Sequence, residues 1–207
     1  MVPSKEEIQS LIDLYSSGKF SEVVFQACKL LEIYKKSVDL LSICGAANLQ
    51  LAKYEDAIQN YREALNIKPD YAEAFNNIGT AFKALGKKST ALDSFEKALS
   101  LRPDYVDALI NLGVLKKDSG SVNEAIKIYK KALSLWPNNI QAQFNLGNAY
   151  LEKDDLENAM SNYKAVLEQN PRHRSSLCNL ANCLKDKGHI NKAIEYYKEA
   201  IAIDPNK

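Results

Sequence analysis

Apolar residues recur along this chain at helical, not strand, spacing. Phe75, Ile78, Gly79 and Phe82 fall at i, i+3, i+4 and i+7, one stripe of a helix. A second stripe follows the break at Gly86, through Ala91, Phe95, Ala98 and Leu99. This two-stripe unit then returns. Prolines stand at Pro69, Pro103, Pro137, Pro171 and Pro205, each 34 residues after the last. Ala57, Ala91, Ala125, Ala159 and Ala193 keep the same step, with an aromatic four residues behind each: Tyr61, Phe95, Tyr129, Tyr163 and Tyr197. Gly45, Gly79, Gly113 and Gly147 keep it too, and Ala181 takes the fifth place. A fixed period of this length marks stacked supersecondary repeats. Cut from Ser4, the chain divides into units 4–37, 38–71, 72–105, 106–139, 140–173 and 174–207, a single array over 1–207.

Each unit reads as two antiparallel helices. Gly18, Gly86, Gly120 and Gly188 suit the tight turn between them. The periodic proline ends the second helix, because it lacks an N–H and disfavours helix in the residue before it. Asp70, Asp104 and Asn138 follow prolines and are expected to cap the next helix. A glycine inside a helix costs about 1 kcal/mol relative to alanine, so the recurrent one needs a reason. Close approach of the paired helices supplies it, with the recurrent alanines expected as the small partners.

The stretch FNNIGTAFKALGKKSTALDSFEKALSLRPD resembles a tetratricopeptide repeat, and units two to six follow that pattern closely. Unit three carries it in Phe75, Ile78-Gly79, Phe82, Gly86, Ala91, Phe95, Ala98 and Pro103. Unit one is degenerate, with Ser10, Leu11, Val23, Ala27 and Lys35 at marker positions. Asn48 and Lys116 replace the second aromatic of the first helix, and Gln143 takes a large apolar place that Phe144 follows by one residue. The resemblance implies an all-α, right-handed superhelical solenoid of six helix-turn-helix repeats. It also implies that the first helices line a concave groove.

Charge and composition narrow the partner. A net charge of +1 with both signs interspersed gives no electrostatic case for nucleic acid or an anionic membrane. The N-terminus MVPSKEEIQS has no signal-peptide core, and four cysteines make no disulfide framework. Reduced thiols and a cytoplasmic location are therefore expected. Cys178 and Cys183 lie between His173 and His189, but residues five apart on a helix point about 140° apart, so no metal site is expected. No nucleophile–base pair or phosphate loop is recognisable, so neither catalysis nor a cofactor is expected. Trp136, before Pro137, is expected to cover a helix junction.

Polar residues inside the first helices remain. Asn77 recurs as Asn111, Asn145 and Asn179, whereas Asn76 does not recur. At about 100° per residue, Asn77 points away from the apolar stripe, beside Glu73, Asn76, Thr80, Lys83 and Ala84. By the resemblance these four asparagines line the groove, and they are similar in placement to the asparagines in the repeat arm of O-linked N-acetylglucosamine transferases. A carboxamide offers donor and acceptor to a peptide backbone. Bonding to neighbouring helices is the other reading. Asn148 and Asn182 add a second polar pair, and Ile110, Phe144 and Lys117 complete the candidate peptide-binding set. Phe144 has two places open to it, an anchor in the groove or a rotated core residue. A carboxylate clamp for acidic C-termini is excluded, because Phe144 stands where its lysine belongs.

The expected function is a protein–protein interaction scaffold that binds an extended peptide or protein segment. The alternative is the substrate-recruiting arm of a larger glycosyl-, sulfo- or methyltransferase, since the last repeat lacks a polar cap. The same uncapped helix, with Ile194, Tyr197 and Ile201, also suggests self-association.

Overall fold

A computed structural model describes residues 2–204. Pro205 and Lys207, the last periodic proline and the last repeat residue, lie outside them. The described residues form twelve helices and no strands. In chain order these are α1 Lys5–Ser16, α2 Phe20–Ile33, α3 Val38–Gln50, α4 Tyr54–Ile67, α5 Ala72–Ala84 and α6 Lys88–Leu101. They continue with α7 Val106–Lys117, α8 Val122–Leu135, α9 Ile140–Glu152, α10 Leu156–Gln169, α11 Arg174–Asp186 and α12 Ile190–Ile203. This is the all-α tetratricopeptide architecture, and the degenerate first unit forms its helix pair like the others. None of these helices is long and apolar enough to cross a membrane.

The turns follow the glycine reading. Gly86 takes a φ of +73°, where a side chain would be strained. Ala52 and Asp154 fill the same place in repeats two and five with φ values of 56° and 57°. The caps differ from expectation. The helix after each proline starts one residue later than Asp70, Asp104 and Asn138 would require. Asn139, not Asn138, accepts from the Ala142 N–H at 2.8 Å. Ser37 caps α3 and His173 caps α11 from the equivalent place.

The recurrent glycines make room for a ring rather than for the alanines. A Cβ at Gly79 would lie 2.6 Å from Cε1 of Phe95. Gly45, Gly113 and Gly147 face Tyr61, Tyr129 and Tyr163 in the same way. These rings are the largest fully buried side chains among the described residues.

The chain resolves into two compact units, residues up to Asn111 and residues from Leu112 on, with the boundary inside α7. The first has a core of Leu11, Val23, Ala27, Leu40, Cys44 and Ala47 where α1, α2 and α3 meet. The second packs around Tyr129, Leu146, Tyr163 and Leu180. Where the sequence departs from the aromatic pattern, polar pairs bridge the two helices of a repeat. Asn48 donates to Oδ1 of Asn60 at 3.0 Å, Gln143 donates to Oδ1 of Asn162 at 3.0 Å, and Lys116 meets Glu124 at 3.0 Å. Trp136 does not cover a junction, since 53% of it is exposed. Ile190, Ile194 and Ile201 of α12 are exposed as well.

Candidate functional site

In the N-terminal unit the asparagines form a hydrogen-bonded relay. Asn77 Nδ2 donates to the Tyr61 hydroxyl at 3.0 Å. Asn76 Nδ2 donates to Asn77 Oδ1 at 3.2 Å, and Asn76 Oδ1 accepts from Asn111 Nδ2 at 2.9 Å. Asn76 is buried, with 5% of it exposed. Its presence has a local cause. Asn77 reaches back to the tyrosine of the preceding repeat, but the residue equivalent to that tyrosine ahead of Asn111 is Phe95, which has no hydroxyl. Asn76 supplies the acceptor that Phe95 cannot. The asparagine that does not recur thus completes one that does.

The faces of α1, α3 and α5 around this relay enclose a cleft with two lobes. One lobe, about 370 Å³, is lined by Ile12, Tyr15, Ile43, Tyr71, Glu73 and Tyr105. The other, about 440 Å³, is lined by Leu49, Gln50, Tyr54, Thr80 and Lys83. Tyr15, Ala46, Tyr61 and Asn77 border both. Two rings of the first lobe carry a cation over one face: Arg102 lies 3.7 Å from the centre of Tyr105, and the Lys68 ammonium 5.0 Å from that of Tyr71. Arg102 Nη1 is held in turn by Glu73 Oε1 at 2.7 Å. Burial pushes the Tyr105 hydroxyl up to about 12, and the nearby Asp107 and Glu73 add to the rise. Burial also raises Tyr61, against the Asn77 hydrogen bond, and the charges of Tyr71, Tyr15 and Tyr105 push it further. Tyr61 and Tyr105 are therefore neutral hydroxyls near pH 7.

The C-terminal unit uses the same positions differently. The Tyr163 hydroxyl donates to Asn148 Oδ1 at 2.8 Å, and Asn179 Nδ2 donates to that oxygen at 3.0 Å. Asn179 Nδ2 also lies 3.4 Å from the Tyr163 hydroxyl. Phe144 packs on this cluster, its ring 5.9 Å from Tyr163 and 5.0 Å, edge to face, from His173. It is half-buried against the core. Asn145 is buried and accepts from Gln141 Nε2 at 3.3 Å. Its Nδ2 and the Tyr129 hydroxyl, partners by analogy with Tyr61 and Asn77, are both buried and unpaired among the described residues.

The remaining predicted residues scatter. Ile110 is 6% exposed and offers little surface to a ligand. Lys117 Nζ lies 3.1 Å from Asp118 and 3.7 Å from Glu152. Asn182 is exposed and accepts from the Tyr197 hydroxyl. No group of His, Cys, Asp and Glu among the described residues could hold a metal ion. The candidate set read from the sequence did not include Tyr15, Tyr61, Tyr71 or Tyr105, which line the cleft. Tyr71 and Tyr105 stand two residues after periodic prolines, a signal that was there to read; Tyr15, in the degenerate unit, carried none.

Comparisons with known proteins agree on the family. The model described as the cytochrome c-type biogenesis protein H TPR domain matches residues 61–177. Tetratricopeptide repeat models match 45–71 and 175–207. No curated protein matches the sequence. Among solved structures, YrrB, described as a TPR protein with an unusual peptide-binding site, is 26% identical over 87% of this chain and 93% of its own, with a TM-score of 0.66. PilF of Pseudomonas aeruginosa is 19% identical over 98% and 92%, with a TM-score of 0.84. A chain of the APC/C hetero-tetramer Cut9–Hcn1 is 19% identical, with a TM-score of 0.87 over 97% of this chain but 40% of its own. The last two share the fold.

Proposed function

The chain belongs to the tetratricopeptide repeat family, and from that premise we propose that it is a binding module holding an extended protein segment in the cleft of its N-terminal unit. Proteins of this family are in general protein–protein interaction scaffolds, not catalysts. One observation carries the reading here: the relay from Tyr61 to Asn111 borders an open, tyrosine-lined cleft on the first-helix faces. Mostly apolar lining with a few placed polar groups is the usual make-up of a ligand site. The peptide-binding site named for YrrB supports the same use of the fold. Asn77 would meet backbone groups in the manner suggested by the likeness to the transferase arm. It does so with one free N–H and one free lone pair of Oδ1, because Tyr61 and Asn76 each take one site of its amide. The module works in a reducing, cytoplasmic setting, where Cys28, Cys44, Cys178 and Cys183 remain free thiols.

The test is selection of peptides from a random library, followed by measurement on two paired variants. Asn77→Ala with Tyr61→Phe loses the selected peptides about tenfold or more, the scale of a hot-spot pair. Asn145→Ala with Asn179→Ala retains them. Retention by the first pair and loss by the second would move the site out of the cleft and end this reading.

A further inference from the structure

We propose that the cleft of the N-terminal unit takes a proline-rich segment in the polyproline II conformation. This rests on the reading of the cleft as a peptide site and names its occupant. The first argument is the lining. Tyr15, Tyr54, Tyr71 and Tyr105 line the two lobes with half-buried rings. Flat rings are the surfaces on which pyrrolidine rings pack, and proline-rich ligands dock into aromatic-lined grooves in several unrelated modules.

The second argument is complementarity of donors and acceptors. The hydroxyls of Tyr15, Tyr71 and Tyr105 have no hydrogen-bond partner among the described residues. Several of the other polar groups are already engaged. Ser42 donates to the Val38 carbonyl, Thr80 donates to the Asn76 carbonyl, and Asn77 Oδ1 is taken by Asn76. The cleft therefore presents free O–H donors to the carbonyls of a ligand. Proline has no N–H and brings only carbonyl acceptors.

The third argument is charge. Glu73 and Arg102 neutralise each other at the first lobe, so the lining favours an uncharged segment there. A cation on Tyr71 or Tyr105 is disfavoured, because Lys68 and Arg102 already sit on those rings. The same contacts fix the rings before the ligand arrives, as the polyproline helix is fixed before it binds, so little ordering entropy opposes association. From Glu73 to Lys83 the cleft follows α5 for about 15 Å. That length accommodates about five residues of polyproline II.

The experiment measures binding of a fluorescein-labelled decaproline and of the same decamer with every second proline replaced by alanine. Decaproline is expected to bind about tenfold tighter, and Tyr71→Ala or Tyr105→Ala to remove most of that difference. Tyr105→Phe keeps the ring and is expected to lose about fivefold, the worth of one hydrogen bond. Circular dichroism checks that each variant folds. Equal affinity for the two decamers, or decaproline binding that survives Tyr71→Ala with Tyr105→Ala, overturns the proposal. If decaproline fails while library peptides without proline still bind and are lost with Asn77→Ala and Tyr61→Phe, this inference falls and the peptide-site reading stands. If neither class binds, both fall.

Discussion

Tyr61 and Tyr163 occupy the same place in their repeats, and each meets an asparagine of the next. Around Tyr163 the hydroxyl has an acceptor in Asn148, one turn along the facing helix, and Phe144 lies over the cluster. Around Tyr61 the residue equivalent to Asn148 is Ala46, and the space beside it is open cleft. Tyr129 shows the third outcome. Val114 offers no acceptor there, Gln141 has taken Asn145 Oδ1, and the hydroxyl and Asn145 Nδ2 are both buried without a partner among the described residues. One substitution per repeat thus decides whether the same pair seals a junction, borders a site or is left unsatisfied.

The largest expected effect comes from breaking the relay. Asn76→Ala strands Asn111 and releases Asn77, for a loss of about 2–3 kcal/mol in chemical denaturation. Phe95→Tyr would restore a hydroxyl for Asn111. The double variant should therefore recover about 1 kcal/mol, and a strictly additive cycle would show that the relay is not coupled. Next comes conversion of the open junction into the sealed one. Ala46→Asn gives Tyr61 an acceptor and fills the cleft, so library peptides should lose tenfold or more in affinity, about 1.4 kcal/mol, while the melting temperature holds or rises. Undiminished binding would mean that peptides lie elsewhere.

Smaller effects should differ in sign between the two remaining tyrosines. Tyr163→Phe removes a satisfied hydroxyl and should cost about 1 kcal/mol, whereas Tyr129→Phe removes an unsatisfied one and should be neutral or stabilising by up to about 1 kcal/mol. Equal losses would show that Tyr129 has an acceptor after all.

The smallest effect is in pH. His173 caps α11 by accepting from the Ser176 N–H at 3.2 Å through Nδ1, and burial lowers its pKa from 6.5. The folded state favours the neutral ring, so its contribution is complete above about 6.5 and is lost as pH falls through the lowered value. His173→Asn, which copies the cap at Asn139, should flatten that part of the stability–pH curve. A curve unchanged by this replacement would assign the acid sensitivity to other groups.

These contrasts also mark what the sequence could convey. The repeat length, the helix pairs and the turn glycines were legible because each depends on one residue type at one offset. The ring behind Gly79 was not, because the offset from Gly79 to Phe95 joins two helices whose register is set by packing. The fate of each asparagine was not legible either. Asn77, Asn111, Asn145 and Asn179 look alike in the column; their differences come from Tyr61, Phe95 and Asn148 on other helices and, for Asn145, from Gln141 one turn back on its own. Ile110 looked like a groove residue by angle, yet it is buried.

The relay has a kinetic consequence for whatever enters the cleft. Half of the Asn77 amide is already engaged, its carbonyl accepting one hydrogen bond and one N–H donating another within the protein. A ligand that recruits those groups exchanges one hydrogen bond for another, so the net gain per contact is small, and the internal partner stands ready to take its place again when the contact loosens. Contacts of that kind loosen faster than those made by groups with no internal alternative, such as the hydroxyls of Tyr15, Tyr71 and Tyr105, without any loss of the cleft's shape.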